Sequence, residues 1–183
     1  MSEELVPRRG NFKKLLSYQK AEVIYRLTYF FCEKFMSRGD RTVDQMIQAA
    51  RSGKQNIAEG CAASATSTKT EIHLTNVAKA SLLELLTDYE DFLHTRNHRI
   101  WEKGSREYEA MRKLGREHND AEFFLDIAQS RPAETIANMT IILLNQADYL
   151  LYRQIERLSA DFLKGGGFSE RMHRMRTEKR KGQ

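Results

Sequence analysis

Between Pro7 and Pro132 the chain runs for 124 residues without a proline. A sheet of several strands needs turn chemistry at each reversal, whereas a proline-poor stretch rich in Leu, Ala, Glu, Lys and Arg favours long helices. An all-α fold is therefore expected. A length of 183 residues suits one domain whose core closes without disulfides or metals. Cys32 and Cys61 lie far apart, with no CxxC or Cys/His spacing, and are read as buried thiols in a reducing cytoplasm. Residues 1–10 lack the charged-then-apolar order of a signal peptide, and the longest strongly apolar run, Ile141 to Leu144, is far too short to cross a bilayer. A cytoplasmic protein is the expectation.

Apolar periodicity divides the chain into four long helices. Ser17 reads as a cap for a helix over 17–38, where Ile24, Leu27, Phe31 and Phe35 recur at helical spacing and Gly39 supplies a left-handed stop. Thr42 with Gln45 forms a capping box for a second, antiparallel helix carrying Val43, Met46, Ala50, Gly53, Ile57 and Cys61 on one face. Thr68 with Glu71 forms another box. It opens a third helix, ending near Asn97, whose stripe of Leu74, Ala78, Leu82, Leu85, Tyr89 and Phe92 is widened by Leu83, Leu86 and Leu93. Pro132 then starts a fourth helix that runs to Phe162 and stops at Gly165, Gly166 and Gly167.

Residues 101–131 interrupt this plan with Gly104, Gly115, dense charge and two short helical stretches, about 105–114 and 120–129, which Trp101, Phe123 and Phe124 would anchor. The expected architecture is an antiparallel up-down four-helix bundle with a helical insertion and a basic tail. By residue, 1–16 is an N-terminal segment, 17–164 the bundle with its insertion, and 165–183 a flexible basic tail. Helix two is rich in small residues, and Gly53 implies close approach by a neighbour, within the bundle, from another subunit or from a ligand.

The chemistry of common active sites is missing from the pattern. The Gly165–Gly167 run ends a helix instead of opening one after a strand, so it is not a phosphate loop. Ser64, Ser67 and Thr68 have no paired base and acid. Glu90, His94, His98 and Glu102 would share a face only if helix three continued through them, and the default reading is a solvated polar face. A di-iron bundle needs Glu-x-x-His on two helices, and helix four has no histidine. No catalytic residue, cofactor or metal ligand is assigned.

Charge is concentrated at the ends. Residues 165–183 set six Lys/Arg against Glu170 and Glu178, a balance of +4, and residues 1–14 add +2 from four basic and two acidic groups. The body is left near −1 out of a total of +5. The candidate nucleic-acid contacts are therefore Arg171, Arg174, Arg176, Lys179, Arg180 and Lys181, which would meet RNA or DNA phosphates with little base preference, since no aromatic residue interleaves them for stacking.

The segment from Gln48 through Arg51, Ser52, Gly53, Lys54 and Gln55 to Asn56-Ile57-Ala58-Glu59-Gly60, followed by Glu71 and the run Leu82 to Leu86, resembles a bacterial four-helix-bundle family. That family includes the proteins encoded in ribosomal-RNA intervening sequences and the accessory variability determinant of diversity-generating retroelements. With Tyr89 to Leu93 and the extended C-terminus, the chain is most similar to the four-helix-bundle suffix branch. The resemblance covers roughly 17–164 and departs from short members in the insertion and the tail. It implies a homopentameric barrel whose basic surface, in the retroelement member, contacts nucleic acid and a reverse transcriptase. Asn56 and Glu59 are the polar members of the shared motif, and a structural role is expected for it, with these side chains satisfying buried backbone or Arg41 and Arg51.

The sequence thus points to a non-enzymatic oligomeric scaffold that binds nucleic acid or a nucleic-acid enzyme. The rivals are a protein-protein adaptor and an enzyme with an unrecognised site. A continuous basic surface favours the scaffold, an exposed apolar patch in neutral surroundings the adaptor, and a deep pocket with shifted acids or histidines the enzyme.

Overall fold

The computed structural model describes residues 10–37, 39–165 and 168–181, and among them the protein is all helical, without a strand. A 3-10 turn over Phe12–Lys14 leads into α1 (Leu16–Phe35), α2 (Arg41–Ala63), α3 (Thr68–Thr95), α4 (Arg106–Glu117), α5 (Ala121–Gln129), α6 (Ala133–Gly165) and α7 (Phe168–Lys181). The four long helices close a ring in which α1 packs on α2, α2 on α3, α3 on α6 and α6 on α1. The insertion lies against this ring, with α5 on α1 and α4 on α6. Residues 165–183, expected as a flexible tail, are helical over Phe168–Lys181.

The predicted stripes form the core. Ile24, Leu27 and Phe31 of α1 are fully buried, as are Ala50 of α2, Leu85 and Tyr89 of α3, and Ile136, Leu143 and Leu151 of α6. Each buried Leu, Ile or Phe stabilises the fold by about 1.5–3 kcal/mol relative to exposure. Phe31 stands 5.0 Å from the Tyr89 ring and 4.8 Å from Phe92, which couples α1 to α3 by edge-on and tilted aromatic contacts. The Tyr89 hydroxyl donates to Thr28 Oγ1 at 3.1 Å, so its burial leaves no orphaned donor. Burial pushes that phenol up from its ordinary value, and the Cys32 thiol up to about 12, so both stay neutral. Cys61 is buried as well.

The small residues of α2 serve contacts within this chain. A Cβ on Gly53 would lie 2.5 Å from Leu82 Cδ2, and one on Gly60 would lie 3.3 Å from the Glu71 carbonyl oxygen. Ser52 and Ser81 hydroxyls meet across the same seam at 2.9 Å.

The caps differ from the sequence reading, each by a residue or two. Ser17 lies inside α1, behind Leu15, and its hydroxyl donates to Gln154 Oε1 at 2.8 Å, which satisfies a buried amide of α6. Asp40, not Thr42, caps α2 by accepting from Thr42 N at 2.9 Å. Ser67, not Thr68, caps α3 by accepting from Thr70 N at 3.1 Å, while Glu71 is buried. An acceptor immediately upstream reaches the first free N–H groups better than the residue read as the cap. Helix α1 ends at Phe35 with Met36 extended, so Gly39 is not its left-handed stop; among the described residues only Asn97 and Gly104 have positive φ.

Candidate functional site

The insertion is fastened to the helical ring by core packing and by hydrogen bonds. Ser105 and Asp120 cap its helices by accepting from Tyr108 N and Glu122 N. Met111 of α4 and Phe124 and Ala128 of α5 are buried in the shared core. Asn138 of α6 receives Trp101 N on its Oδ1 at 2.7 Å and donates to Arg99 O at 2.8 Å, pinning the segment that leads in. Trp101, Phe123 and Phe124 thus do act as anchors, with Phe124 the most deeply buried of them.

Where α4 crosses α1 and α6 it leaves a cleft of about 630 Å³. Helix α1 contributes Leu16 and Lys20, α4 contributes Tyr108, Arg112, Gly115 and Arg116, and α6 contributes Ile142, Asn145, Gln146 and Tyr149, with Asn119 from the α4–α5 link. Lys20 is 2% exposed, and its ammonium donates to the Gly115 carbonyl and, at 3.1 Å, to the His118 carbonyl. Gly115 lies in the last turn of α4 and His118 is its C-cap, so the cation sits where it complements the helix dipole. Burial pushes the Lys20 ammonium down to about 8, so the group keeps most of its charge at neutral pH.

The floor of the cleft is set by a glycine. A Cβ on Gly115 would run into the Gln146 amide, so only glycine lets that side chain lie flat across α4. Gln146 Nε2 donates to Arg112 O at 2.9 Å, which fixes the orientation of the amide, and its Oε1 is buried with no partner.

A second groove of about 520 Å³ continues from the first through Leu16 and Leu150, adding Lys14, Arg153 and Arg157. Across the two, six cations line the surface and no Asp or Glu does. Arg112 and Arg153 pair with Glu109 and Glu156 one turn away on exposed helix faces, at 3.2 and 2.9 Å. Such pairs contribute about 0–1 kcal/mol and yield readily to a better anion. Burial raises the Glu71 carboxyl above its ordinary value, and Arg157 offsets only part of that rise.

The candidates read from the sequence lie elsewhere. Arg174, Arg176 and Arg180 are exposed on α7, while the side chains of Arg171, Lys179 and Lys181 lie outside the described residues. Asn56 donates to Ser52 O at 2.9 Å, within its own helix. Glu59 is exposed and accepts from Gln55 at 3.2 Å, so its recorded partner is neither Arg41 nor Arg51. Ile57 and Gly60 are buried between helices, and Ala58 is half-buried. Because α3 ends at Thr95 and Asn97 turns left-handed, His98 and Glu102 leave the face of Glu90 and His94. His98 Nδ1 instead meets Glu134 Oε2 at 3.1 Å. No cluster of three metal-ligating side chains occurs among the described residues, nor a helix long and apolar enough to cross a membrane.

Sequence reasoning missed Lys20, Arg112, Arg116 and Gln146. The available signals were a lysine amid the apolar positions of α1 and a glycine inside α4, neither of which shows that the two meet. No family model, curated protein or solved structure matches the chain.

Proposed function

We propose that this protein is a non-enzymatic, self-associating scaffold that binds nucleic acid, built on an antiparallel up-down four-helix bundle of α1, α2, α3 and α6. The observation that carries the reading is the run of cationic side chains facing outward on α7, Arg174, Arg176 and Arg180, in a chain whose body is close to neutral. A helix that presents arginines to solvent offers phosphates close-set charge, and each contact releases counterions. The six cations of the α1–α4–α6 grooves add a second positive surface, with no carboxylate in its lining. That lining also contains no imidazole or thiol side chain, which favours binding over acid-base or thiol catalysis.

The family resemblance at 48–60 adds a five-fold assembly and a nucleic-acid enzyme as further partners. Buried, protonated Cys32 and Cys61 suit a reducing cytoplasm. Five copies would multiply weak tail contacts through effective concentration. The test is binding of duplex and single-stranded probes by the full chain and by a charge-reversed variant carrying Arg174→Glu, Arg176→Glu and Arg180→Glu. The natural protein should bind with a salt slope of roughly 0.9 per duplex phosphate contacted, and the variant should lose that binding with its helicity intact. Equal affinity of the two, or no binding at low salt, would discard the reading. A monomer in analytical ultracentrifugation at micromolar concentration would discard self-association.

An adaptor reading has one observation in its favour. Leu163 is 84% exposed, beside Phe162, near the end of α6, and Leu83 is 58% exposed on α3. Co-purification of a protein partner that survives high salt and is lost in Leu163→Glu would favour it.

A further inference from the structure

We propose that the cleft between α1, α4 and α6 is a binding site for a nucleoside phosphate. The inference does not rest on polymer binding by α7. It stands on the shape and chemistry of a cavity that the insertion creates.

Three properties of the cleft select the ligand. Its volume of about 630 Å³ falls within the range of small-molecule sites, and α4 roofs it where the four long helices alone would leave an open face. Its charge is uniformly positive: Lys20 is held at the floor, Arg112 and Arg116 stand at the rim on α4, and Arg116 has no ion-pair partner among the described residues. Two of the Lys20 N–H groups are used by the Gly115 and His118 carbonyls, which leaves one for a ligand oxygen. A phosphate matches a lysine and two guanidinium groups, where a lone carboxylate would leave cations unpaired.

The rest of the lining fits the remainder of a nucleotide. Tyr108 and Tyr149 offer ring faces for a base. Asn145 and Asn119 offer amide groups, and the Gln146 amide, its orientation fixed by Arg112 O, lines the cleft beside them. Gly115 seats this amide in the floor, since any side chain there would displace it. A fatty acid would use neither the amides nor the second and third cations.

The experiment is titration calorimetry on the full chain with AMP, CMP, GMP and UMP, and with inorganic phosphate and adenosine as separate arms. At least one nucleotide should bind saturably and more tightly than phosphate or nucleoside alone. Arg116→Ala should weaken it about tenfold or more, as expected for a lost charge-assisted contact. Tyr149→Ala should weaken nucleotide binding and leave phosphate binding unchanged. Both side chains are exposed, so neither variant threatens the fold, and Arg131→Ala, outside the cleft, should bind as the natural protein does. The α7 charge-reversed variant should keep nucleotide affinity, which separates failure of this site from failure of polymer binding. Absence of nucleotide binding up to millimolar concentration, equal affinity for phosphate and nucleotide, or indifference to Arg116→Ala would each overturn the proposal.

Discussion

Two helix–helix contacts use glycine in opposite ways. On the α2–α3 seam, Gly53 meets the buried side chain of Leu82, and the void a Cβ would need is filled by a neighbour with nowhere to go. Where α4 meets α6, Gly115 faces the end of Gln146, a partly buried side chain lining a cleft. The first glycine seats an apolar core side chain, the second a polar amide beside a cleft. A small residue inside a helix therefore says that something comes close, and only the mobility of the neighbour says whether the purpose is cohesion or a site.

Perturbing the packed seam should give the largest effect. Leu82→Ala should cost about 3 kcal/mol in denaturant unfolding, the usual loss for a buried leucine. Gly53→Val should cost about 2 kcal/mol by overpacking. The double variant should lose clearly less than the two together, because the shortened residue 82 makes room for the valine. Strict additivity would show that the two do not share the seam.

The cleft side should respond to pH before it responds to size. The Lys20 ammonium is lowered from 10.5 to about 8 by burial, so between those values the unfolded chain holds a proton that the folded chain has released. Folding therefore becomes more favourable with rising pH in that window. Below pH 8 both states hold the proton, and this contribution is flat. The neutral amine still donates to the Gly115 and His118 carbonyls. Against a Lys20→Met variant, which has no such titration, the natural protein should gain stability between pH 8 and 10 in parallel urea melts. A constant difference across that range would place the ammonium in water.

The smallest effect is expected at the other glycine. Gly115→Ala should stay within about 1 kcal/mol of the natural protein, since improved helix propensity offsets displacement of the Gln146 amide. Gly53→Ala should be the more destabilising of the two in the same melts. If both alanines cost alike, the contrast between the two contacts fails.

Much of the fold was legible from residues alone, and the reasons are particular. Ile24, Leu27 and Phe31 recur with the helical period because the same side must face the core each turn, and all three are buried. The insertion announced itself through Gly104 and its charge density, and its two short helices lie within three residues of their expected bounds. Caps were less legible. Ser17 and Thr42 have the right side chains for the role, yet Gln154, 137 residues from Ser17, claims the first, and Asp40 caps in place of the second.

The candidate site was the least legible part. The basic tail shows in a count of charges, since charge is a property of composition, and α7 leaves Arg174, Arg176 and Arg180 in solvent. The cleft does not show, because Lys20 and Gly115 are 95 residues apart and nothing local to either predicts the other. Sequence by itself determined the all-helical class, the long apolar faces and the position of the positive charge, since periodicity and composition act over a few turns. Tertiary structure decided which carbonyls receive Lys20, which amide covers Gly115 and which cations line the same grooves. Those outcomes depend on how α4 crosses α1 and α6, a long-range packing choice that short-range preferences leave open.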